Sequence, residues 1–153
     1  MKMRKILYPT DFSSKGRAAL EFAADLALER KALLIIAHVQ EPAMIYGEGS
    51  YYYGVPEPDA DLLRNMLLAV KPNNPAVACD HRFVQGLPGP GILKVAAEED
   101  VDFIVMSSHG RTGLSRVLMG SVAEEVMRGA QCPVMVVKPT AKVEAAVAAG
   151  GSA

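Results

Sequence analysis

The sequence is poor in the materials from which several common protein classes are built. It has two cysteines, Cys79 and Cys132, in 153 residues. So few, so far apart, make neither a zinc spacing nor a disulfide framework, which points to a reduced, cytoplasmic setting. Long hydrophobic runs are missing too. The longest are about half of the ~20 residues that a membrane helix needs, so no membrane partner is expected. The opening MKMRKILYPTDF has charges followed by three apolar residues, too few for the core of a signal peptide. No sign of charge dominates: 16 Lys and Arg face 17 Asp and Glu, a formal net charge of −1. A whole-molecule field that gathers nucleic acid is therefore not expected. There is no internal repeat.

What is present is the composition of a globular domain, half hydrophobic and 22% charged. A chain of this length is one domain, burying roughly 68–70% of its unfolded surface. We place that domain at residues 1–140. The remaining segment, 141–153, is rich in small residues, lacks a large apolar face and reads as a disordered tail.

Short apolar runs alternate with helical patterns. Strands are expected at Lys5–Tyr8, Ala32–Val39, Ala76–Val84, Val101–Met106 and Pro133–Val137. Helices are expected at Lys15–Glu29, Asp59–Val70, Gly91–Glu99 and from Ser121 to Arg128. Strict alternation of this kind gives an α/β sandwich on a parallel sheet. The continuous apolar first, second and fourth strands fit its centre, covered on both faces. The third, with Asp80, His81 and Arg82 inside it, fits an edge. The long connection Gln40–Pro58 carries Tyr51, Tyr52 and Tyr53 and reads either as a mobile surface loop or as a lid.

The segment SSHGRTGLSRVLMGS, Ser107 to Ser121, has the strongest functional signal. A buried strand leads into a glycine-containing loop, which ends in Gly-Ser at a fresh helix N-terminus. Backbone amides and the helix dipole there suit a phosphate. In open α/β sheets, ligands sit at the carboxyl ends of strands. The first strand contributes Pro9, Thr10 and Asp11 at that rim. A Walker A loop is absent, since Ile92 stands where Gly86 and Gly91 would require lysine. A nucleophile elbow is absent, Asp11 lacks the acidic partners of a receiver domain, and His109 has no paired nucleophile.

LYPTDFS, AHV, SHGRTG, GSVAEEV and CPVMVVKP together resemble the universal stress proteins of the UspA type, over nearly the whole chain. The resemblance implies a three-layer α/β sandwich with a five-stranded parallel sheet in the order 3-2-1-4-5. It also implies the nucleotide motif Gly-x2-Gly-x9-Gly-[Ser/Thr], which falls here on Ser107, Gly110, Gly120 and Ser121, with serine in place of the first glycine. The implied site is Pro9, Thr10, Asp11, Val39, Met106, Ser107, Gly110, Arg111, Gly120, Ser121 and Val122. Its implied ligand is ATP, AMP or another adenine nucleotide, with Mg as a possible companion.

Several of these residues carry two readings. Asp11 either contacts the ribose or adenine side or caps the first helix. Gly110 and Gly120 either admit phosphate close to the backbone or serve turns with positive φ. Ser121 either holds phosphate or opens a capping box with Glu124. Arg111 and Arg116 either charge-pair with a triphosphate or are solvated. Ser107 either is strained in a glycine conformation or sits in ordinary extended backbone and adds a hydrogen bond. The first case favours a stress or interaction protein that binds no nucleotide. No residue looks like a general base aimed at water, so any ATP hydrolysis is expected to be slow.

In the implied sheet order the last strand lies at an edge. Its apolar row invites pairing, and the family pairs it with a second copy. The expected homodimer interface is Cys132, Pro133, Val134, Met135, Val136, Val137 and Lys138.

Overall fold

The computed structural model describes residues 2–42, 59–108, 119–139 and 141–150. The Tyr51–Tyr53 segment, His109, Gly110, Arg111, Gly113 and Arg116 lie outside the described residues. Five strands are present: β1 (Lys5–Pro9), β2 (Leu33–Gln40), β3 (Cys79–Gln85), β4 (Phe103–Ser107) and β5 (Val134–Val137). They pair in parallel in the order β3-β2-β1-β4-β5, as expected. The helices are α1 (Arg17–Arg30), α2 (Ala60–Ala69), α3 (Pro88–Glu98), α4 (Ser121–Gly129) and α5 (Ala141–Gly150).

The period-2 geometry of the strands sorts side chains into two cores. Ile6 and Tyr8 of β1 join Leu34, Ile36, Leu20, Ala23 and Leu67 in the layer with α1 and α2. Leu7 points the other way and joins Ile35, Ile104, Ile92, Val95 and Val126 in the layer with α3 and α4. The buried alanines of α1 let that helix lie close to the sheet. Strand β3 is an edge as its polarity suggested. Arg82 reaches out of it to Glu98, at 2.8 Å, and to Glu99.

Two of the four crossings from helix back to strand, α1 to β2 and α3 to β4, use the same stop. α1 ends at Lys31 (φ 54°) and α3 leads into Asp100 (φ 51°), each left-handed without glycine. The following amides, of Ala32 and Val101, return to the carbonyls of Ala27 and Ala96. This is the wrapped C-terminus usually supplied by glycine.

Three local expectations change. α3 begins at Pro88, three residues before the expected Gly91, because proline is compatible with a helix's first turn. The segment from 141, expected as a disordered tail, is helical over Ala141–Gly150. Its alanines are strong helix formers even without a broad apolar face. The capping box at Ser121 does not form, since Gly120 is the N-cap of α4 and Ser121 its first helical residue.

Candidate functional site

The direction of winding reverses between β1 and β4, and a cleft opens at the carboxyl ends of β1, β2 and β4. Its volume is about 460 Å³, within the usual range for a small-molecule site. Pro9, Thr10, Asp11, Val39, Met106, Ser107, Gly120, Ser121 and Val122 all line it. The structure thus brings together every predicted site residue except Gly110 and Arg111, which lie outside the described residues.

Part of the cleft lining is apolar. Val39, Ile92, Met106 and Leu63 supply it, with Pro88 at the start of α3. Gly91 gives Val39 its room: a Cβ there would lie 2.6 Å and 2.8 Å from the two Val39 methyls. Polar groups come from Ser107, Ser108 and the first turn of α4, whose Val122 and Ala123 pack in the same layer as Ile92 and Met106. Gly120 has φ −59° and ψ 152°, which any residue adopts, so positive φ is not its reason for being glycine. Its amide donates to Ser108 O at 2.8 Å, and Glu124 N donates back to Gly120 O at 3.1 Å. The amides of Ser121, Val122 and Ala123 are the first-turn donors that helix geometry leaves for another acceptor. All three residues line the cleft.

Ser107 ends β4 in extended backbone, paired in register with Val137. It is not among the positive-φ residues, so serine carries no glycine-type strain. Its hydroxyl points to Lys15 O at 3.4 Å. Ser108, buried to 2% exposure, donates its amide to Val137 O at 3.1 Å.

The β1 rim is tightly tied. Thr10 donates its amide to Ala37 O at 2.7 Å, and its Oγ1 accepts from Phe12 N at 3.1 Å. Asp11 Oδ1 accepts from Ser13 N at 2.9 Å, so the carboxylate orders the turn leading to α1. It does not cap α1 itself, whose N-cap is Gly16. Between these residues Phe12 takes φ 66°, which costs about 1–3 kcal/mol for a residue with a side chain. Tyr8 lies below, its hydroxyl donating to Gly16 O at 2.9 Å. Burial pushes the Tyr8 phenol up to about 12, so it stays neutral and brings no negative charge to the cleft.

Sequence reasoning missed His38. It is 5% exposed, lines the cleft and faces Thr10 O through Nδ1 at 2.8 Å. The available signal was a polar residue inside an apolar strand, since such a group needs a partner when buried. Among the described residues no cluster of three or more His, Cys, Asp or Glu side chains is placed to hold a metal ion.

Comparison with known proteins meets this geometry directly. Residues 2–138 match the universal stress protein family. The chain belongs to that family. Universal stress protein MJ0577 of Methanocaldococcus jannaschii is 31% identical, over 88% of this chain and 94% of the relative. The solved structure of universal stress protein UspA from Lactobacillus plantarum has a TM-score of 0.67 at 22% identity, covering 90% of this chain and 99% of that one. A universal stress protein solved in complex with cAMP has a TM-score of 0.61 at 23% identity, covering 92% of this chain and 100% of its own. As in these universal stress proteins, the sheet is open and wound in both directions from β1.

Proposed function

We propose that this universal stress protein binds an adenine nucleotide in the cleft, ATP being the favoured form. The observation that carries this reading is the first turn of α4. Its three amides without intrahelical partners and the Ser121 hydroxyl belong to residues that line a cleft also lined by apolar Val39, Ile92 and Met106. Phosphates belong at the donors, where amides and helix dipole act together. The base belongs against Val39, Ile92 and Met106. Asp11 stands at the ribose side, away from phosphates that would repel it. The structural relative in complex with cAMP supports the ligand class. Mg²⁺, where present, travels with the phosphates.

Asp11 and His38 both hold backbone, which suits binding rather than turnover. We assign the protein a regulatory role in which nucleotide occupancy is the signal, exercised in the cytoplasm. The edge position of β5 supports pairing with a second copy through Cys132 to Lys138. Met135 on that edge is 37% exposed, a large apolar side chain that such pairing would cover. The reading without nucleotide rested on strain at Ser107, and extended backbone there removes its support.

Calorimetry with ATP, AMP, cAMP and adenosine tests the proposal. Saturable binding of at least one nucleotide below millimolar concentration is the expected result. No heat from any of them at millimolar concentration overturns it. Sedimentation at micromolar concentration tests the dimer, and a monomer there removes that assignment.

A further inference from the structure

His38 touches both neighbours of Asp11 and leaves Asp11 itself between them. On one side its Nδ1 lies 2.8 Å from Thr10 O. A carbonyl only accepts, so Nδ1 carries the proton and donates. On the other side its ring centroid lies 4.2 Å from that of Phe12, tilted by 36°. Phe12 is the residue held at positive φ, a conformation that persists only when surrounding contacts enforce it. The imidazole also neighbours Phe83 of β3, centroid to centroid 6.1 Å. Phe83 in turn lies under the Arg64 guanidinium of α2 at 4.8 Å. Side-chain contacts therefore run from α2 through β3 and β2 to the β1 rim.

From this bracket we infer that His38 is a positioning residue for the nucleoside, setting where Asp11 stands at the cleft. The inference rests on the adenine-nucleotide reading above and deepens it. His38 holds residue 10 by a hydrogen bond and residue 12 by ring contact. Asp11 spans a fixed gap, its Oδ1 further tied to Ser13 N. Loss of the Nδ1 donor lets the Thr10 carbonyl turn and frees Phe12 to leave its left-handed conformation. The carboxylate then no longer meets the ligand in one place.

The test is adenosine calorimetry on wild type, His38→Asn, His38→Gln, Asp11→Ala and the double variant Asp11→Ala/His38→Gln. Asparagine places an N–H near the Nδ1 position; glutamine places its amide farther out. His38→Asn should bind within about threefold of wild type, and His38→Gln at least about tenfold weaker, the scale of a lost hydrogen bond acting on a charged group. In the Asp11→Ala background, His38→Gln should cost nothing further, because it acts through Asp11. Equal losses for His38→Asn and His38→Gln, or additive losses in the double variant, overturn the inference. If wild type binds no adenosine or nucleotide, the adenine reading itself fails. Hydrogen exchange at the Phe12 and Ser13 amides then still decides the bracket. Faster exchange in His38→Gln than in His38→Asn supports it, and equal rates overturn it.

Discussion

Helices α3 and α4 both begin at the carboxyl rim of the sheet, beside the same cleft, yet they bring opposite chemistry to it. The first turn of α4 reads Ser121, Val122, Ala123, with an amide on each residue. That of α3 reads Pro88, Gly89, Pro90, and two of its three positions have no N–H to offer. The remaining N-terminus of α3 is also covered. A Cβ on Gly89 would run into the carboxylate of Glu125, so an acidic group from α4 already lies against that end. One terminus is equipped for an anion, and the other is stripped of donors, screened by a carboxylate and fitted with apolar side chains. The fold places both helices alike, and three residues in each decide what they do.

The contrast can be broken most severely at α4. Ser121→Pro gives α4 the first residue of α3 without breaking the helix, because proline is welcome at that position. It removes an amide and a hydroxyl, each worth about 1.5–3 kcal/mol against a charged acceptor. ATP affinity should fall on the order of a hundredfold, while adenosine binding persists; calorimetry with both ligands checks it.

On the apolar side, Gly91→Ala pushes a methyl against Val39. Overpacking of this kind costs about 1–3 kcal/mol. The melting temperature should drop, and adenosine and ATP should weaken together, unlike the selective loss at Ser121. A milder change sharpens the contrast from the other direction. Pro90→Ala returns one amide to α3 where Glu125 already sits, so ATP affinity should shift by less than ~1 kcal/mol, the scale of an exposed helix-dipole effect. A tenfold tightening would mean that α3 also meets phosphate. The smallest effect belongs to Ser107→Gly. Glycine weakens a strand interior by roughly 0.5–1 kcal/mol, visible in thermal melts, with ATP binding close to wild type.

The α4 side of this comparison was largely legible in the chain. The spacing from Ser107 to Ser121 located a strand end and a helix start, because glycines and apolar runs mark both. The role of Ser121 was not legible in detail. A serine three residues before Glu124 looks like a cap until Gly120 is seen to occupy that position. The α3 side was hidden by its prolines, which set the expected helix start back to Gly91 although a helix's first turn accepts them. His38 was obscured by its apolar neighbours, and the left-handed Phe12 by the lack of any glycine to announce it. Helix α5 was missed because an apolar stripe was sought where alanine propensity sufficed.

Ser108 sits between two parts of the protein that have so far been treated separately. Its carbonyl holds the amide of Gly120, and its own amide holds the carbonyl of Val137 on the edge strand. One buried residue thus joins the cleft rim to β5 in series. Where binding at the rim and pairing of β5 are coupled, linkage makes the effect reciprocal. Under the proposed function, a nucleotide that steadies Gly120 would favour pairing of β5 by the same free energy that pairing returns to the nucleotide. Under that function, the link would convert a chemical concentration into a change of assembly without a moving domain.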